Sequence, residues 1–145
     1  MSVGTMNEVR MKRTIQAGQQ AVWDAWTQPQ HMKNWSCPDP SGETEVEVDL
    51  RVGGAYRIVM SVEGEQHIAY GTYREVDAPN RLVYTWDWEN PENAMGETIV
   101  TVDFEVNGDA TDVVVVHSGF PAPEAKESHE QGWGACVRRF EGLFA

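Results

Sequence analysis

The sequence predicts an α+β domain in which a long C-terminal helix lies across an antiparallel sheet. Short stretches that alternate apolar and polar residues fill most of the chain up to residue 118, separated by turns rich in glycine, asparagine and aspartate. After a break at residues 118–123, no proline occurs from Glu124 to Ala145. Large apolar side chains recur in that segment at helical spacing: Trp133, Val137, Phe140 and Phe144. Such a helix buries one face against the sheet, and this arrangement often leaves a cavity between the two.

The first strand and two short helices are predicted before the main run of strands. A strand is predicted over Val9–Ile15, where Val9, Met11, Arg13 and Ile15 alternate with Arg10, Lys12 and Thr14. A helix is predicted over Gln19–Thr27, and a second one runs from Pro29 to about Trp35. The two helices are separate because the residue before a proline avoids helical angles, whereas proline suits the first turn of a helix.

The remaining strands are joined by short connections. They are predicted over Thr44–Leu50, Ala55–Val62, Glu65–Val76, Arg81–Trp88, Thr98–Val106 and Thr111–Ser118. Gly53-Gly54 predicts a tight hairpin, because both glycines accept positive φ. Connections this short join antiparallel neighbours, so we expect a sheet of about six to seven strands. Residues 1–145 are expected to form a single domain.

Charge excludes some classes of partner. The net charge is −12, from 11 basic and 23 acidic residues, and no basic stripe is visible along the chain. Nucleic acid is therefore not an expected partner, since its binding requires a basic surface. Anionic membrane surfaces are disfavoured for the same reason. No segment approaches the roughly 20 apolar residues of a membrane span, so no membrane insertion is expected.

The expected compartment is the cytoplasm. Residues 1–14 lack the apolar core of a signal peptide. Cys37 and Cys136 are the only cysteines, which is too few for a disulfide framework. The sequence leaves open whether the protein is a monomer or a homodimer.

Several sequence segments together resemble the family named after the activator of the ninety-kilodalton heat-shock chaperone's ATPase. In order along the chain they are Ala21–Pro29 followed by Trp35, Val52–Arg57, Gly71–Tyr73, Arg81–Trp86, His117–Phe120 and Gly132-Trp133. These segments span the chain from about Val9 to Leu143.

The resemblance implies the helix-grip fold of the START-like (SRPBCC) superfamily, which includes the major birch-pollen allergen, polyketide cyclases and lipid-transfer domains. Members of that superfamily share a deep cavity between the sheet and the terminal helix. The co-chaperone carries an additional N-terminal domain for which this chain has no room. Chaperone activation is therefore not expected to carry over.

The strand phases place an aromatic-rich set of side chains on the inner face of the sheet. The residues expected to line a ligand cavity are Trp35, Tyr56, Ile58, Met60, His67, Tyr84, Trp86, Val100, Val102, Val115, His117, Trp133 and Val137. Binding pockets are mostly apolar with a few polar anchors, which Tyr84, His117 and the indoles would supply. The alternative is a solid core filled by the same rings.

No catalytic constellation is visible, and the main candidate for proton transfer is His117. It alternates in phase with Val113 and Val115, so it should point toward the terminal helix. The alternative is a buried histidine that is hydrogen-bonded to a neighbour. His31 and His129 are expected to be exposed. No metal-binding motif is present, so neither a metal nor a cofactor is expected.

Three hypotheses about function follow. The leading one is a protein that binds a small hydrophobic or aromatic molecule without catalysis. The second is a cyclase- or hydrolase-like enzyme that uses His117 and Tyr84, which requires His117 to face an accessible cavity. The third is a protein-interaction module of the chaperone-cofactor type, which Trp23, Trp26 and Trp35 would favour if they were exposed.

Overall fold

Seven strands and three helices make up the computed structural model, which describes residues 8–144. The strands are β1 (Glu8–Ile15), β2 (Glu43–Val48), β3 (Ala55–Val62), β4 (Glu65–Asp77), β5 (Arg81–Trp88), β6 (Thr98–Asn107) and β7 (Ala110–Ser118). The helices are α1 (Gln19–Thr27), α2 (Pro29–Met32) and α3 (Pro123–Gly142). The first residues of the chain and Ala145, where the last helix was predicted to end, lie outside the described part.

The strands form one antiparallel sheet in the order β1-β7-β6-β5-β4-β3-β2. Consecutive strands from β2 to β7 are neighbours because their connections are short, and β1 closes the other edge by pairing with β7. The long helix α3 covers the inner face and approaches the sheet most closely at β1. The predicted helix-grip fold is confirmed.

Two helix boundaries differ from the prediction for local reasons. α2 ends at Met32 rather than Trp35, because the backbone tightens into turns in which the Asn34 N–H donates to the His31 carbonyl at 3.0 Å. α3 begins at Pro123, which occupies the first helical turn, and ends at Gly142. Glycine is a poor helix former, which fits its place at the end of the helix.

The Gly53-Gly54 turn uses its two glycines for different reasons. Gly53 has φ of 84°, in the left-handed region, whereas Gly54 is not among the residues with positive φ. A Cβ on Gly54 would lie 2.0 Å from the Asp49 carbonyl oxygen, so that position requires glycine for space. Of the two glycines, both of which accept positive φ, only Gly53 adopts it.

Gly71 allows a tyrosine to cross strand β4. Gly71 pairs with Tyr56 of β3, and the Tyr56 hydroxyl donates a hydrogen bond of 2.5 Å to the Thr85 carbonyl on β5. A Cβ on Gly71 would lie 2.1 Å from that same carbonyl oxygen. The missing side chain thus lets the Thr85 carbonyl approach β4 closely while it accepts the tyrosine hydroxyl.

The short helices are fixed to the sheet by tryptophans. Trp23 packs edge-on against Phe104 of β6, with ring centroids 5.3 Å apart. Trp26 and Trp35 are in contact with each other, with ring centroids 4.4 Å apart. All three tryptophans are buried, so the exposed aromatic surface that would favour an interaction module is not formed by them. Among residues 8–144, the exposed large apolar side chains are scattered along the chain: Val52, Tyr70, Val106 and Leu143.

Candidate ligand cavity

A partly open cavity of about 770 Å³ lies between α3 and the sheet. Its sheet side is formed only by inward side chains of β3, β4 and β5. Its other sides come from α1, α2 and the loop after it, the β5–β6 loop, and the N-terminal two-thirds of α3. The volume falls in the range of about 300–1,000 Å³ that is typical of small-molecule sites.

Most of the residues predicted to line the cavity do so. They are Trp35, Tyr56, Ile58, Met60, His67, Tyr84, Trp86 and Trp133. The others are buried beside the cavity and do not line it: Val100, Val102, Val115, His117 and Val137. The sheet residues among them lie on β6 and β7, the strands against which α1 packs, and no residue of those strands borders the cavity.

His117 is at the centre of a buried hydrogen-bond chain. The Trp133 indole N–H donates to His117 Nδ1 at 3.0 Å, and His117 Nε2 lies 2.7 Å from the Thr98 hydroxyl oxygen. The Thr98 hydroxyl itself donates to the Trp86 carbonyl at 2.6 Å. Since Thr98 uses its proton there, it must accept from His117, so the imidazole carries its proton on Nε2.

Within this hydrogen-bond chain, His117 is neutral and both of its ring nitrogens are hydrogen-bonded. Burial, with a smaller contribution from nearby His129, lowers the pKa of His117 to about 3. Both ring nitrogens are already bonded, and the side chain has no exposed surface. The condition for the enzyme hypothesis, an accessible His117, is therefore not met. His117 instead connects the end of β7 to Trp133 of α3.

The buried neutral histidine predicts a loss of stability in mild acid. The pKa of His117 is about 3 in the folded state and near 6.5 in the unfolded state. Between these pH values the unfolded chain binds a proton at His117 and the folded chain does not. The contribution of His117 to the free energy of unfolding is fully present above about pH 6.5, and it decreases as the pH falls from there toward 3. From pH 7 to pH 5 we expect a loss of about 2 kcal/mol from this residue, measured by urea unfolding at both values.

His117→Gln is the informative variant, because an amide can keep both hydrogen bonds but does not titrate. The variant should lose most of the difference between pH 7 and pH 5, whereas the exposed-site variant His31→Gln should keep it. An unchanged difference in His117→Gln would contradict the assignment. His129, whose pKa is also lowered by burial, contributes to the part that remains.

His129 forms a second tryptophan–histidine pair, at the side of the cavity. The Trp88 indole N–H donates to His129 Nε2 at 2.9 Å, and His129 Nδ1 lies 2.7 Å from the Ala125 carbonyl. The expectation that His129 is exposed is wrong, because it is half-buried and lines the cavity. Phe120 packs beside both histidines, with its ring centroid 4.4 Å from His117 and 5.0 Å from His129.

Three tyrosines form a cluster on the sheet side of the cavity. The ring centroids of Tyr56, Tyr73 and Tyr84 are 5.3–5.9 Å apart. Tyr56 donates to the sheet backbone, and Tyr84 accepts a long hydrogen bond of 3.4 Å from the Trp26 indole N–H. Tyr73, although it lies in phase with His67 on β4, was not among the predicted lining residues. Burial raises the pKa of Tyr73 and Tyr84, so both hydroxyls remain protonated.

The cavity opening is acidic and is formed largely by loops. Its charged side chains are Asp39, Glu92 and Glu124, and no lysine or arginine among the described residues lines the cavity. Alternation along strands cannot reveal loop residues of this kind, which meet only once the chain has folded. Arg139 of α3 donates a hydrogen bond to the Cys37 carbonyl and so holds the loop after α2, which contains Asp39, against the helix.

The described residues contain no cluster that could hold a metal ion and no helix long and apolar enough to cross a membrane. Both cysteines are buried and free. Burial raises the pKa of the Cys136 thiol to about 12, which disfavours its reactive thiolate form.

Comparisons with known proteins agree with the fold. Protein CV1439 from Chromobacterium violaceum superimposes with a TM-score of 0.83 at 25% identity, over 95% of this chain and 96% of that one. Protein NE0264 from Nitrosomonas europaea gives 0.80 at 25% identity, over 97% and 96%. Protein Ms6760 from Mycobacterium smegmatis gives 0.82 at 17% identity, over 97% and 92%.

Sequence comparison with curated proteins gives no match. The family model described as "Activator of Hsp90 ATPase homolog 1-like protein" matches residues 16–145, which is nearly the whole chain. The chain therefore belongs to the activator of Hsp90 ATPase homolog 1-like family.

Proposed function

We propose that the protein, acting as one helix-grip domain, binds a small hydrophobic or aromatic molecule in the cavity between the sheet and α3. The observation that carries the proposal is the cavity itself, about 770 Å³ of space beside a sheet rich in aromatic side chains. In a solid core, protein side chains would instead fill that space. Burial of a ligand's apolar surface in that space supplies the driving force for binding, at about 25 cal/mol per Å².

Cytoplasmic location belongs to the same proposal. Two buried free cysteines suit a reducing compartment, in which thiols stay reduced. A ligand that partitions into apolar environments would reach the cavity through its loop-lined opening. Neither a second subunit nor a metal is needed to complete the cavity, so the proposal holds for a monomer and for a homodimer.

Gly132 provides a direct test. It lies on the cavity-lining stripe of α3 with Ala125, Ser128, His129 and Cys136, and a Cβ placed on it meets no atom within 4 Å. Gly132→Leu should therefore fill part of the cavity without displacing protein atoms. Leucine is also a better helix former than glycine by roughly 0.5–1 kcal/mol, so the fold should be kept or stabilised.

The measurement compares native and denatured mass spectra of freshly purified protein, together with thermal unfolding in the presence of a panel of apolar compounds. We expect the wild type to carry a bound small molecule or to be stabilised by panel members, by about 2.7 kcal/mol at a hundred times the Kd. Gly132→Leu should lose this binding. The matched control is Gly142→Leu, at the other end of the same helix and away from the cavity, which should bind as the wild type does.

Two results would contradict the proposal. One is the absence of any bound mass together with no stabilisation by the panel. The other is equal loss of binding in Gly142→Leu, which would mean that the effect is not local to the cavity.

A further inference from the structure

The side chains that line the cavity differ in whether their hydrogen-bond donors have acceptors within the protein. Most of the indole N–H groups have acceptors within the protein: Trp26 donates to Tyr84, Trp35 to the Ala25 carbonyl, Trp88 to His129 and Trp133 to His117. The Ser36 hydroxyl donates to the Met32 carbonyl, and Tyr56 donates to Thr85. These groups have no remaining hydrogen to offer a ligand.

Three side chains of the sheet side differ from these. The Trp86 indole N–H is buried and has no partner among the described residues, and Trp86 as a whole is only 8% exposed. Tyr73 is 2% exposed, and within residues 8–144 its hydroxyl takes part in no hydrogen bond. The Tyr84 hydroxyl accepts from Trp26 but has no acceptor for its own proton in the same part of the chain. All three residues line the cavity.

Each of these three groups has a hydrogen to donate. An indole N–H can only donate, and the Tyr84 oxygen already receives one hydrogen bond. Burial raises the pKa of both tyrosines, so their hydroxyl protons are retained at neutral pH. A buried donor without an acceptor, such as the Trp86 indole N–H, costs roughly 1–3 kcal/mol, and a ligand that supplies an acceptor removes that cost.

The charge around the cavity restricts the ligand further. A carboxylate would have to give up its hydration in an apolar cavity that offers no lysine or arginine among the described residues. It would also pass Asp39, Glu92 and Glu124 at the opening. An uncharged acceptor, such as a ketone or ester carbonyl, meets neither obstacle.

We propose that the ligand is an uncharged apolar molecule that carries a carbonyl-type oxygen, which Tyr73 and Tyr84 bind at the sheet side of the cavity. This inference rests on the proposed function and specifies its substrate class. Trp86 lies beside the cluster of three tyrosines, since its ring centroid is 6.4 Å from that of Tyr56. Trp86 and Trp133 are tilted neighbours with ring centroids 6.0 Å apart, so aromatic surface for the hydrocarbon part of the ligand continues from the sheet to α3.

Three probes that share one ring system test the proposal by isothermal titration calorimetry at pH 7: acetylnaphthalene, ethylnaphthalene and naphthoate. They differ in carrying a carbonyl, no polar atom and a negative charge. We expect the wild type to bind the ketone about 10-fold more tightly than the hydrocarbon, as one or two net hydrogen bonds provide. Naphthoate should bind at least about 10-fold more weakly than the ketone, since its charge is not compensated.

Tyr73→Phe and Tyr84→Phe each remove a hydroxyl and keep the ring. Each should reduce the preference for the ketone by about threefold, and the double variant should lose most of it, with little change in affinity for ethylnaphthalene. Tyr70→Phe is the matched control, because Tyr70 lies on β4 but is exposed and does not line the cavity. It should keep the wild-type preference.

The outcomes separate this inference from the function on which it rests. Equal affinity for ketone and hydrocarbon, or an unchanged preference in the double variant, would overturn the inference and leave the cavity as a ligand site. Tighter binding of naphthoate would overturn it in the same way. Failure of all three probes to bind, together with no bound mass and no stabilisation by the apolar panel, would overturn the inference together with the proposed function.

Discussion

Replacing His117 with alanine is expected to lower the free energy of unfolding by about 3–5 kcal/mol, measured by urea denaturation at pH 7. The imidazole is fully buried and joins Trp133 of α3 to Thr98 of β6. Its removal leaves the Trp133 indole N–H without an acceptor, which costs roughly 1–3 kcal/mol, and opens a void the size of the ring. Because this hydrogen bond connects α3 to the sheet beside the cavity, its loss should also loosen the helix over the cavity.

His31→Ala is the control for this change. His31 is exposed on α2 and makes no side-chain contact of this kind, so its replacement should shift stability by no more than about 0.5 kcal/mol. His117→Gln should be intermediate, since an amide can replace both hydrogen bonds. A loss of under 1 kcal/mol in His117→Ala would mean that the hydrogen-bond chain does not hold the helix.

Gly71→Ala is expected to destabilise the protein by about 3 kcal/mol, although it adds a single methyl group. That methyl carbon would lie 2.1 Å from the Thr85 carbonyl oxygen, which is backbone and cannot rotate away. Strands β4 and β5 must therefore separate, and the Tyr56 hydroxyl loses the acceptor that it reaches across Gly71. Thermal unfolding monitored by far-ultraviolet circular dichroism would give the change in Tm.

The control substitution is Gly142→Ala. A Cβ on Gly142 meets no atom within 4 Å, and the residue lies in the last turn of α3, so alanine should be neutral or slightly stabilising. Tyr56→Phe removes only the hydroxyl. It therefore measures the loss of the Tyr56–Thr85 hydrogen bond apart from the steric separation of β4 and β5. If Gly71→Ala is no more destabilising than Tyr56→Phe, the steric argument is wrong.

The strands could be predicted because the alternation of apolar and polar residues within each strand is a local signal. In β7, for example, the buried residues Val113, Val115 and His117 alternate with partly exposed ones, as expected for a sheet with one face toward the core. Turn glycines and asparagines mark where each strand ends. The boundary of α2 was not predictable in this way, since its end depends on how the chain turns toward Pro38 and Pro40.

The cavity could be predicted only in part, for a reason of geometry. Alternation distinguishes the inner face of a sheet from the outer face, but it does not show where along that face the helix touches and where it stands away. Val100 and Val115 therefore have the same pattern as Ile58, yet only Ile58 borders the cavity. The positions of α1 and α3 decide the difference, and these depend on contacts between residues that are distant in sequence.

The histidines illustrate the same limit. The phase of His117 predicts that it faces inward, but not that a threonine and a tryptophan use both of its nitrogens. His129 is spaced four residues from Trp133 on the helix, which identifies a shared face. The sequence does not show that Trp88, from β5, would meet it there.

The distribution of the tryptophans makes the chain its own optical reporter. Five of its six indoles border the cavity, namely Trp26, Trp35, Trp86, Trp88 and Trp133, and only Trp23 does not. Indole fluorescence shifts in wavelength and intensity with the polarity of its surroundings and with nearby quenching groups. A molecule entering the cavity would thus alter most of the intrinsic emission at once, and its arrival and departure could be timed in a stopped-flow instrument without any attached dye.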